Sequence, residues 1–292
     1  MIIKKKNQKT LKTGKTQNRL SVLCLSTLLL IGCKDSIPSA KNKSISDNSM
    51  ERDSISEVII DNAILNAGGY LNWNLKKTIS YTKSIQIYDS LGNLMRSVQQ
   101  EHKFKLKPHL KGKMIWQQED SLHEIIFRRG EAFMLKNGKI LKDKNSTNVA
   151  WNSFFGSHYV IGMPFKLKDP GALYEYKGID TLINKAVVHA IKVSYLSNAG
   201  STGGMHTWHY YFNIDNLELE ATFLDHGNGY SYTDYINFEE IDGIKFNMQR
   251  KSYISNKDKT PLFLKTVYTY SKIKFNVPFQ KDVFEIDIMQ NE

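Results

Sequence analysis

The sequence predicts a mainly β protein with a few helices, built on one large antiparallel curved sheet of about nine to eleven strands. Two observations predict this class. From residue 78 to about residue 274, apolar and polar residues alternate with a period of two, which is typical of strands that bury one face. Turn dipeptides such as Asn137-Gly138 and Asp242-Gly243 separate the alternating runs, and such turns join antiparallel neighbours. The apolar face of this sheet has to be buried, against helices, a second sheet or its own closed interior.

Residues 1–32 differ in composition from the alternating region. They include seven basic residues and no acidic ones, and they contain a twelve-residue apolar run at 20–31. A helix of twelve residues is only about 18 Å long, which is short of the roughly 30 Å of a bilayer core. A basic region followed by a short apolar run is typical of a secretory signal peptide. We therefore predict that 1–32 is a signal peptide and is not part of the fold.

The end of this segment carries a possible lipidation site. Leu30-Ile31-Gly32-Cys33 resembles the lipobox of bacterial lipoproteins, in which the cysteine is acylated and becomes the first residue of the mature chain. Cys24, the second cysteine of the chain, lies inside the predicted signal peptide, so the mature chain would have no disulfide. We predict lipidation of Cys33, and several acyl chains there would anchor the protein stably to a membrane. The alternative is an ordinary signal peptide, or a short buried helix, in which Cys33 has no role.

The residues after the cysteine set a folded domain apart from the membrane. Residues 33–53 are rich in Ser, Lys, Asn and Asp, which is the composition of a flexible, solvated tether, and the folded domain is predicted at 54–292. Lys34 after the cysteine is compatible with transport to the outer membrane of a Gram-negative bacterium, by resemblance to known sorting signals. The orientation, towards the periplasm or the cell surface, stays open.

The net charge of the chain first suggests a nucleic-acid partner. It is +11, with 40 basic and 29 acidic residues. Seven of the basic residues lie in the predicted signal peptide, and without them 33 basic residues remain against 29 acidic ones, a net charge of +4. We therefore predict no nucleic-acid partner.

An amphipathic helix is predicted at 55–67. Ser54 and Glu57 have the spacing of a capping box, and Gly68-Gly69 is a typical helix end. The apolar stripe of this helix consists of Val58, Ile59, Ala63, Ile64 and Ala67.

Each alternating run is predicted to bury one face only. The apolar faces are Ile79, Tyr81, Ile85 and Ile87; Val98, His102, Phe104 and Leu106; Val187, Ile191, Val193 and Tyr195; Trp208, Tyr210, Phe212 and Ile214; Leu217, Leu219, Ala221 and Phe223; and Tyr230, Tyr232, Ile236 and Phe238. A basic cluster belongs either to a solvated strand face or to a surface for anionic lipid headgroups. It consists of Lys103, Lys105, Lys107, Lys111 and Lys113.

The region 148–165 has more aromatic surface than a connecting segment needs, so we predict that it covers the apolar face of the sheet. Aromatic residues are usually core material, but they also line ligand cavities. The residues predicted to line a hydrophobic cavity are Trp151, Phe154, Phe155, Tyr159, Phe165, Trp208, Tyr210 and Phe212.

A histidine-rich region offers one enzyme-like alternative. His206, His209 and His226 lie in a predicted hairpin with Asp225 nearby, and zinc needs three or four converging ligands. However, His206 and His209 have opposite parity in a strand, so their side chains should point to opposite faces. Ser201, among glycines, lacks the surroundings of a catalytic serine. We predict no catalytic residue, no metal and no cofactor.

Several segments resemble uncharacterised bacterial outer-membrane lipoproteins with the LolA/LolB-like, or lipoprotein-carrier, fold. The first is 163–196, where a Pro-Phe-x-Leu-x-Asp-Pro segment precedes two strands. The others are 210–226, with a Tyr-x-x-Ile-Asp strand, and 235–250, a hairpin around Asp-Gly. The resemblance covers about 55–287 and implies an eleven-stranded half-barrel closed by helices over a hydrophobic cavity, which in the carriers holds lipoprotein acyl chains. These motifs contain no catalytic residues, and no functional residue is transferred from the carriers.

Three functions follow as hypotheses. The first is a non-enzymatic, lipid-anchored envelope lipoprotein that binds an acyl chain, a lipid or a lipoprotein in the cavity. The second is a protein-docking lipoprotein with a filled core and an unknown partner. The third is a hydrolase or metal enzyme that uses His206, His209 and His226.

Overall fold

The computed structural model describes residues 53–196, residue 199 and residues 206–286. The predicted signal peptide, Cys33, most of the tether and Ser201 lie outside the described residues. Within the described ranges, no helix combines the length and the apolar character that a membrane crossing needs.

One antiparallel sheet of thirteen strands dominates the described part of the chain, accompanied by three α-helices and a short 3-10 helix. In chain order the elements are α1 (Ser54–Asn66), α2 (Tyr70–Leu75), β1 (Thr78–Tyr88), β2 (Leu94–Lys105), β3 (Lys111–Gln118), β4 (Ser121–Arg128), β5 (Glu131–Lys136), β6 (Lys139–Ile140), α3 (Lys144–Ile161), the 3-10 helix Phe165–Lys168, β7 (Ala172–Thr181), β8 (Val187–Tyr195), β9 (Thr207–Asn213), β10 (Leu219–Asp225), β11 (Tyr230–Ile241), β12 (Ile244–Ser255) and β13 (Pro261–Phe275). The predicted fold class is confirmed, with more strands than the nine to eleven expected. One reason is that β6, at two residues, is too short to produce an alternation.

The sheet consists of two meanders that meet in its middle. The spatial order of the strands is 6-5-4-3-2-1-13-12-11-10-9-8-7, so β1 pairs with β13 at the centre, while β6 and β7 form the two edges. Because β6 and β7 are consecutive strands at opposite edges, the chain between them must cross a face of the sheet. Helix α3 lies in this crossing, as predicted for the aromatic segment.

The sheet curves strongly around α3. Phe154 of α3 stacks on Phe127 of β4 with a centroid distance of 4.4 Å, and the Tyr159 hydroxyl is 2.7 Å from the Tyr210 hydroxyl of β9. In a flat sheet, β4 and β9 would be about 38 Å apart, at about 4.8 Å for each strand in the order above. Residues 154 and 159 are only about 7.5 Å apart along the helix axis. We call the sheet face towards α3 the inner face, and its reverse the outer face.

The helix predicted at 55–67 is present as α1, but its predicted cap is wrong. The N-cap is Asp53, one residue before Ser54, and its carboxylate accepts a hydrogen bond from the Ile55 backbone N–H at 3.1 Å. The capping box proposed for Ser54 and Glu57 is therefore not the start of the helix. Asp and Ser are about equally good N-caps, so the sequence pattern does not distinguish two adjacent candidates.

The buried stripe of α1 is shifted from the predicted one. Val58 is 60% exposed, whereas Ile60 is fully buried with Ile59, Ala63 and Ile64. The predicted end of the helix is confirmed: Gly68 has a φ of 110°, and a Cβ atom there would lie 2.0 Å from the Gly243 carbonyl oxygen. A glycine is required at that close approach.

The prediction that each run buries only one face is wrong for β8 to β11. The main core lies on the inner face, but a second cluster lies on the outer face. The outer cluster consists of Leu182, Val188, Ala190, Tyr211, Ala221, Phe223 and Tyr232. The register shifts between Leu219 and Ala221, so Leu219 joins the inner core and Phe223 the outer cluster. Such a bulge adds one residue to a strand and reverses the faces beyond it.

A second irregularity separates Tyr232 from Phe238 in β11. Asn237 has a φ of 57°, and Tyr232 belongs to the outer cluster while Phe238 packs on the inner core. Val187, assigned to the apolar face of β8, is 41% exposed at the start of that strand.

The lysine cluster between β2 and β3 is largely engaged within the protein. Lys107 Nζ donates to the Asn74 carbonyl at 2.6 Å, Lys111 Nζ lies 3.4 Å from Glu285 and Lys113 Nζ lies 2.6 Å from Glu124. These contacts favour the strand-surface interpretation of the cluster over a surface for lipid headgroups.

Candidate functional site

Two adjoining cavities lie between the inner face of the sheet and α3. Their volumes are about 330 Å³ and about 500 Å³, and both are lined by Ile85, Ile87, Gln100 and Ser153. We call the pair the groove, the smaller cavity its apolar arm and the larger one its cationic arm. Each volume is in the range of sites for small molecules, which is about 300–1,000 Å³.

The apolar arm is built from inward-facing positions of β1 to β5. Antiparallel register places Ile85 opposite Val98, and the alternation of each strand directs every second side chain towards α3. Its apolar lining consists of Ile85, Ile87, Val98, Trp116, Ile125, Met134 and Val149. This half of the groove can therefore accept an apolar group.

The cationic arm contains a buried arginine. Arg250 of β12 is 7% exposed, and its Nη2 donates to the Tyr270 hydroxyl at 2.5 Å. The guanidinium carbon lies 5.7 Å, 4.7 Å and 5.5 Å from the ring centroids of Tyr235, Tyr268 and Tyr270. Arg250 Nε is buried and has no hydrogen-bond partner in the described protein.

A lysine lies close to this arginine. Lys83 Nζ is 5.0 Å from the centroid of the Tyr268 ring and 3.5 Å from the Ser157 hydroxyl of α3. The pKa of Lys83 is lowered to about 7, mainly by burial and to a smaller extent by the charge of Arg250. The side chain keeps some accessible surface because it faces the groove. Its ammonium group is therefore held in an enclosed site beside a second positive charge.

The described lining of the groove is electropositive. Lys83, Arg96, Arg250 and Lys265 line it, and no aspartate or glutamate does among the described lining residues. The pKa of the neighbouring His102 is held well below its usual value, mainly by burial and to a smaller extent by the charge of Lys83, so this imidazole is neutral. The groove thus combines a mainly apolar arm, which also contains Arg96 and His123, with a cationic arm that has no carboxylate in its described lining.

Most of the eight aromatic residues predicted to line a cavity are packed in the core. Phe154, Phe165 and Phe212 are fully buried, and Trp73 of α2 stacks on Phe165 at 4.8 Å. Tyr210 is also fully buried.

The other predicted aromatic residues are more dispersed. The Tyr159 hydroxyl lies 2.5 Å from the Tyr195 hydroxyl, in addition to its contact with Tyr210. Trp151 is 39% exposed and lies 4.5 Å from the ring of Phe155. Of the eight predicted residues, only Trp208 is among the described residues that line the groove. Phe212 lines a separate cavity of about 40 Å³ next to α1.

The predicted parity of the histidines is confirmed. The ring centroids of His206 and His226 are 5.7 Å apart, and His226 lines the cationic arm. The ring of His209 instead packs against Phe223 of the outer cluster, with a centroid distance of 5.8 Å. Burial and nearby lysines, Lys259 first, lower the pKa of His209 to about 4. Across the described ranges, no three His, Cys, Asp or Glu side chains converge as metal ligands.

Lys83, Arg250 and Lys265 were not predicted as site residues from the sequence. A signal was present for Lys83, which interrupts the apolar positions Tyr81, Ile85 and Ile87 on the inner face of β1. A cation at an inward position is unusual, because charged residues are seldom buried without a partner.

Comparison with known proteins assigns the chain to a family. The profile described as "Family of unknown function (DUF6503)" matches residues 131–277, from the start of β5 to just beyond the end of β13. The chain belongs to this family. No curated protein matches the chain.

Solved structures confirm the predicted type of fold, a large curved antiparallel sheet with a few helices. A DUF1329 family protein from Desulfovibrio piger has a TM-score of 0.51 at 11% identity, over 78% of this chain and 96% of its own. A domain from Vibrio parahaemolyticus, described as an outer membrane lipoprotein-sorting protein, has a TM-score of 0.51 at 8% identity, over 80% of this chain and 97% of its own. A LolA superfamily protein from Nitrosomonas europaea has a TM-score of 0.48 at 9% identity, over 80% of this chain and 98% of its own. At these identities the similarity concerns the fold alone.

Proposed function

We propose that this protein is a non-enzymatic lipoprotein of the cell envelope that binds the hydrophobic part of a lipid, an acyl chain or a lipoprotein in the groove. Acyl chains on Cys33 would anchor it, at the periplasmic face or the surface of an outer membrane. A domain fixed in this way does not shuttle between membranes, so it would receive, insert, sense or store its ligand.

The apolar arm is the observation that carries this proposal. Its wall combines seven apolar side chains, Trp116 among them, with five polar ones that include Arg96 and His123, and it leaves about 330 Å³ open next to the cationic arm. A well-packed interior leaves few voids larger than a water molecule. The Vibrio parahaemolyticus domain of similar fold, described as a lipoprotein-sorting protein, also supports a ligand of this class.

A neutral fluorescent probe of apolar sites, N-phenyl-1-naphthylamine, tests the proposal. The exported protein with Cys33→Ala can be purified without detergent and titrated with the probe. We expect saturable binding, and loss of binding when Ser153→Trp places an indole between the two arms. Asn148→Trp, at an exposed position of α3 outside the groove lining, is the matched control and should bind normally. Absence of saturable binding to the parent protein would refute the proposal.

A protein-docking role with a filled interior is the second candidate. The observation in its favour is that Phe154, Phe165 and Phe212, which were expected to line a cavity, are fully buried in the core. If the probe does not bind, and crosslinking in intact cells repeatedly captures one envelope protein, this second function replaces the first.

A further inference from the structure

The guanidinium of Arg250 has unused hydrogen-bonding capacity, and the residue lines both the cationic arm and the separate cavity of about 40 Å³ next to α1. An arginine has five N–H donors, and the described protein accepts one hydrogen bond from this one, at the Tyr270 hydroxyl. Nε is buried without a partner. Unpaired buried donors are rare in native proteins, so a free donor of a buried arginine indicates that an acceptor from outside the chain completes the site.

The charge of this site is also uncompensated. Arg250 and Lys83 face the same cavity, and no carboxylate is present among its described lining residues. The described ion pairs of the protein involve other lysines and Arg128. Placing two like charges together in an enclosed site is unfavourable, and a bound anion would offset the unfavourable energy of both.

The surroundings of Arg250 orient its guanidinium for this role. The rings of Tyr235, Tyr268 and Tyr270 lie within 6 Å of the guanidinium carbon, and cation–π contacts at such distances stabilise the charge without neutralising it. A planar guanidinium held in one orientation is suited to bind a carboxylate or phosphate with two parallel hydrogen bonds.

Three hydroxyl groups complete the polar lining. Ser157 of α3, Thr233 of β11 and Ser252 of β12 all face the cationic arm. Thr233 Oγ1 donates to the Ser252 hydroxyl at 3.1 Å, so the hydroxyls of Ser157 and Ser252 are the ones that can donate hydrogen bonds to the oxygen atoms of an anion.

The position of the cations relative to the apolar arm sets the shape of the ligand. Lys83, Ile85 and Ile87 follow one another on the inner face of β1, so the two isoleucines are about 7 and 14 Å from Lys83 along the strand. A headgroup at Lys83 and Arg250 would therefore direct an attached alkyl chain along Ile85 and Ile87 into the apolar arm.

We infer that Arg250 and Lys83 form a headgroup subsite, so that the ligand of the groove is a single-chain or acylated amphiphile with an anionic carboxylate or phosphate group. This inference rests on the proposed function, because the alkyl chain of the same ligand occupies the apolar arm.

Competition against N-phenyl-1-naphthylamine at pH 6, where Lys83 is protonated, tests the subsite separately from the apolar arm. The competitors are a long-chain fatty acid, lysophosphatidic acid and the neutral monoacylglycerol, all with the same acyl chain. We expect at least one anionic competitor to bind about tenfold or more tightly than the monoacylglycerol, since hydrogen bonds to charged groups are roughly twice as strong as neutral ones. The stronger of the two identifies carboxylate or phosphate as the headgroup.

Three variants identify the residues responsible. Lys83→Met and Arg250→Met should reduce the preference for the anion to about twofold or less, while probe binding is retained. Lys274→Met, at an exposed position of β13, is the control and should keep the full preference. If Arg250→Met does not fold, the preference of Lys83→Met for the anionic competitor tests the inference alone.

Two results would overturn the inference. One is equal affinity of the parent protein for anionic and neutral competitors, and the other is an unchanged preference in Lys83→Met. Either result leaves the proposed function intact provided that the probe binds. If neither the probe nor any competitor binds, the proposed function itself fails.

Discussion

Replacing Lys83 by methionine tests whether the groove keeps a positive charge at a cost in stability. Burial, with the charge of Arg250 as the second cause, lowers the pKa of Lys83 from 10.5 to about 7. The folded state therefore disfavours the charged form of this side chain relative to the unfolded chain. Methionine has a similar length and no charge, so the substitution removes the penalty with little change in packing.

The expected gain in stability depends on pH. Below about pH 7 the lysine is protonated in both states, and the penalty on the folded state is fully present. Between about pH 7 and 10.5 the folded state has released the proton while the unfolded chain still binds it, so the free energy of unfolding rises with pH. Lys83→Met should lack this rise.

The pKa difference sets the upper limit of the effect. One unit of pKa corresponds to about 1.4 kcal/mol, so the fall from 10.5 to about 7 corresponds to roughly 5 kcal/mol. Because Lys83 faces the groove and keeps contact with solvent, screening reduces this value. We expect Lys83→Met to raise the free energy of unfolding by about 2 to 3 kcal/mol at pH 6, and by clearly less at pH 9.5.

Urea unfolding at pH 6 and pH 9.5 measures these differences. The same substitution at the exposed Lys274 should leave the free energy of unfolding within about 0.5 kcal/mol of the parent at both values. A Lys83→Met protein that is less stable than the parent at pH 6, or a gain that does not shrink at pH 9.5, would refute the reasoning. A stabilised variant that also loses its preference for an anionic ligand would link the penalty to function.

Three further predictions concern the core and the anchor. Phe154→Ala should lower the free energy of unfolding by about 3–5 kcal/mol because it removes a fully buried ring, whereas Trp151→Ala, at a 39% exposed position, should have a clearly smaller effect in the same urea titration. Tyr159→Phe should cost about 1–3 kcal/mol by thermal unfolding, since it removes a buried hydroxyl that contacts two other tyrosines; an unchanged midpoint would contradict the role of these hydrogen bonds. Cys33→Ala should abolish incorporation of radiolabelled palmitate in growing cells while Cys24→Ala retains it, and labelling of the Cys33→Ala protein would refute the predicted lipidation site.

The sequence predicts the fold well where one rule governs a whole element. Alternation over 78–274 and the turn dipeptides were enough for the antiparallel sheet, because each strand must bury one face. The same rule failed beyond Leu219, where a bulge exchanges the faces, and at Asn237, where the backbone is left-handed. A bulge changes the register by one residue, and an alternating pattern does not show which residue is the additional one.

The candidate site could be predicted only in part. The aromatic residues Phe154 and Tyr210 were chosen because aromatic surface can line a ligand cavity, but the same residues fill a core equally well. Composition and alternation do not distinguish a filled interior from an open one, since the difference depends on how side chains of distant strands meet. Lys83 carried more information, because its inward parity can be read from β1 alone.

Helix α3 shows how the groove is kept open. Phe154 and Tyr159 anchor the helix in the core, while a run of mostly small residues at helical spacing faces the groove: Asn152, Ser153, Gly156, Ser157 and Val160. Gly156 has ordinary helical geometry and no atom within 4 Å of where a Cβ would lie, so no close contact requires a glycine there. A glycine inside a helix costs about 1 kcal/mol relative to alanine.

Both this glycine and the buried Lys83 therefore lower the stability of the unliganded protein, and both face the same space. Packing alone would favour a larger side chain at position 156 and a neutral one at position 83. Their coincidence at one groove is explained if the space is kept for a ligand whose chain contacts α3 and whose anionic group contacts Lys83 and Arg250.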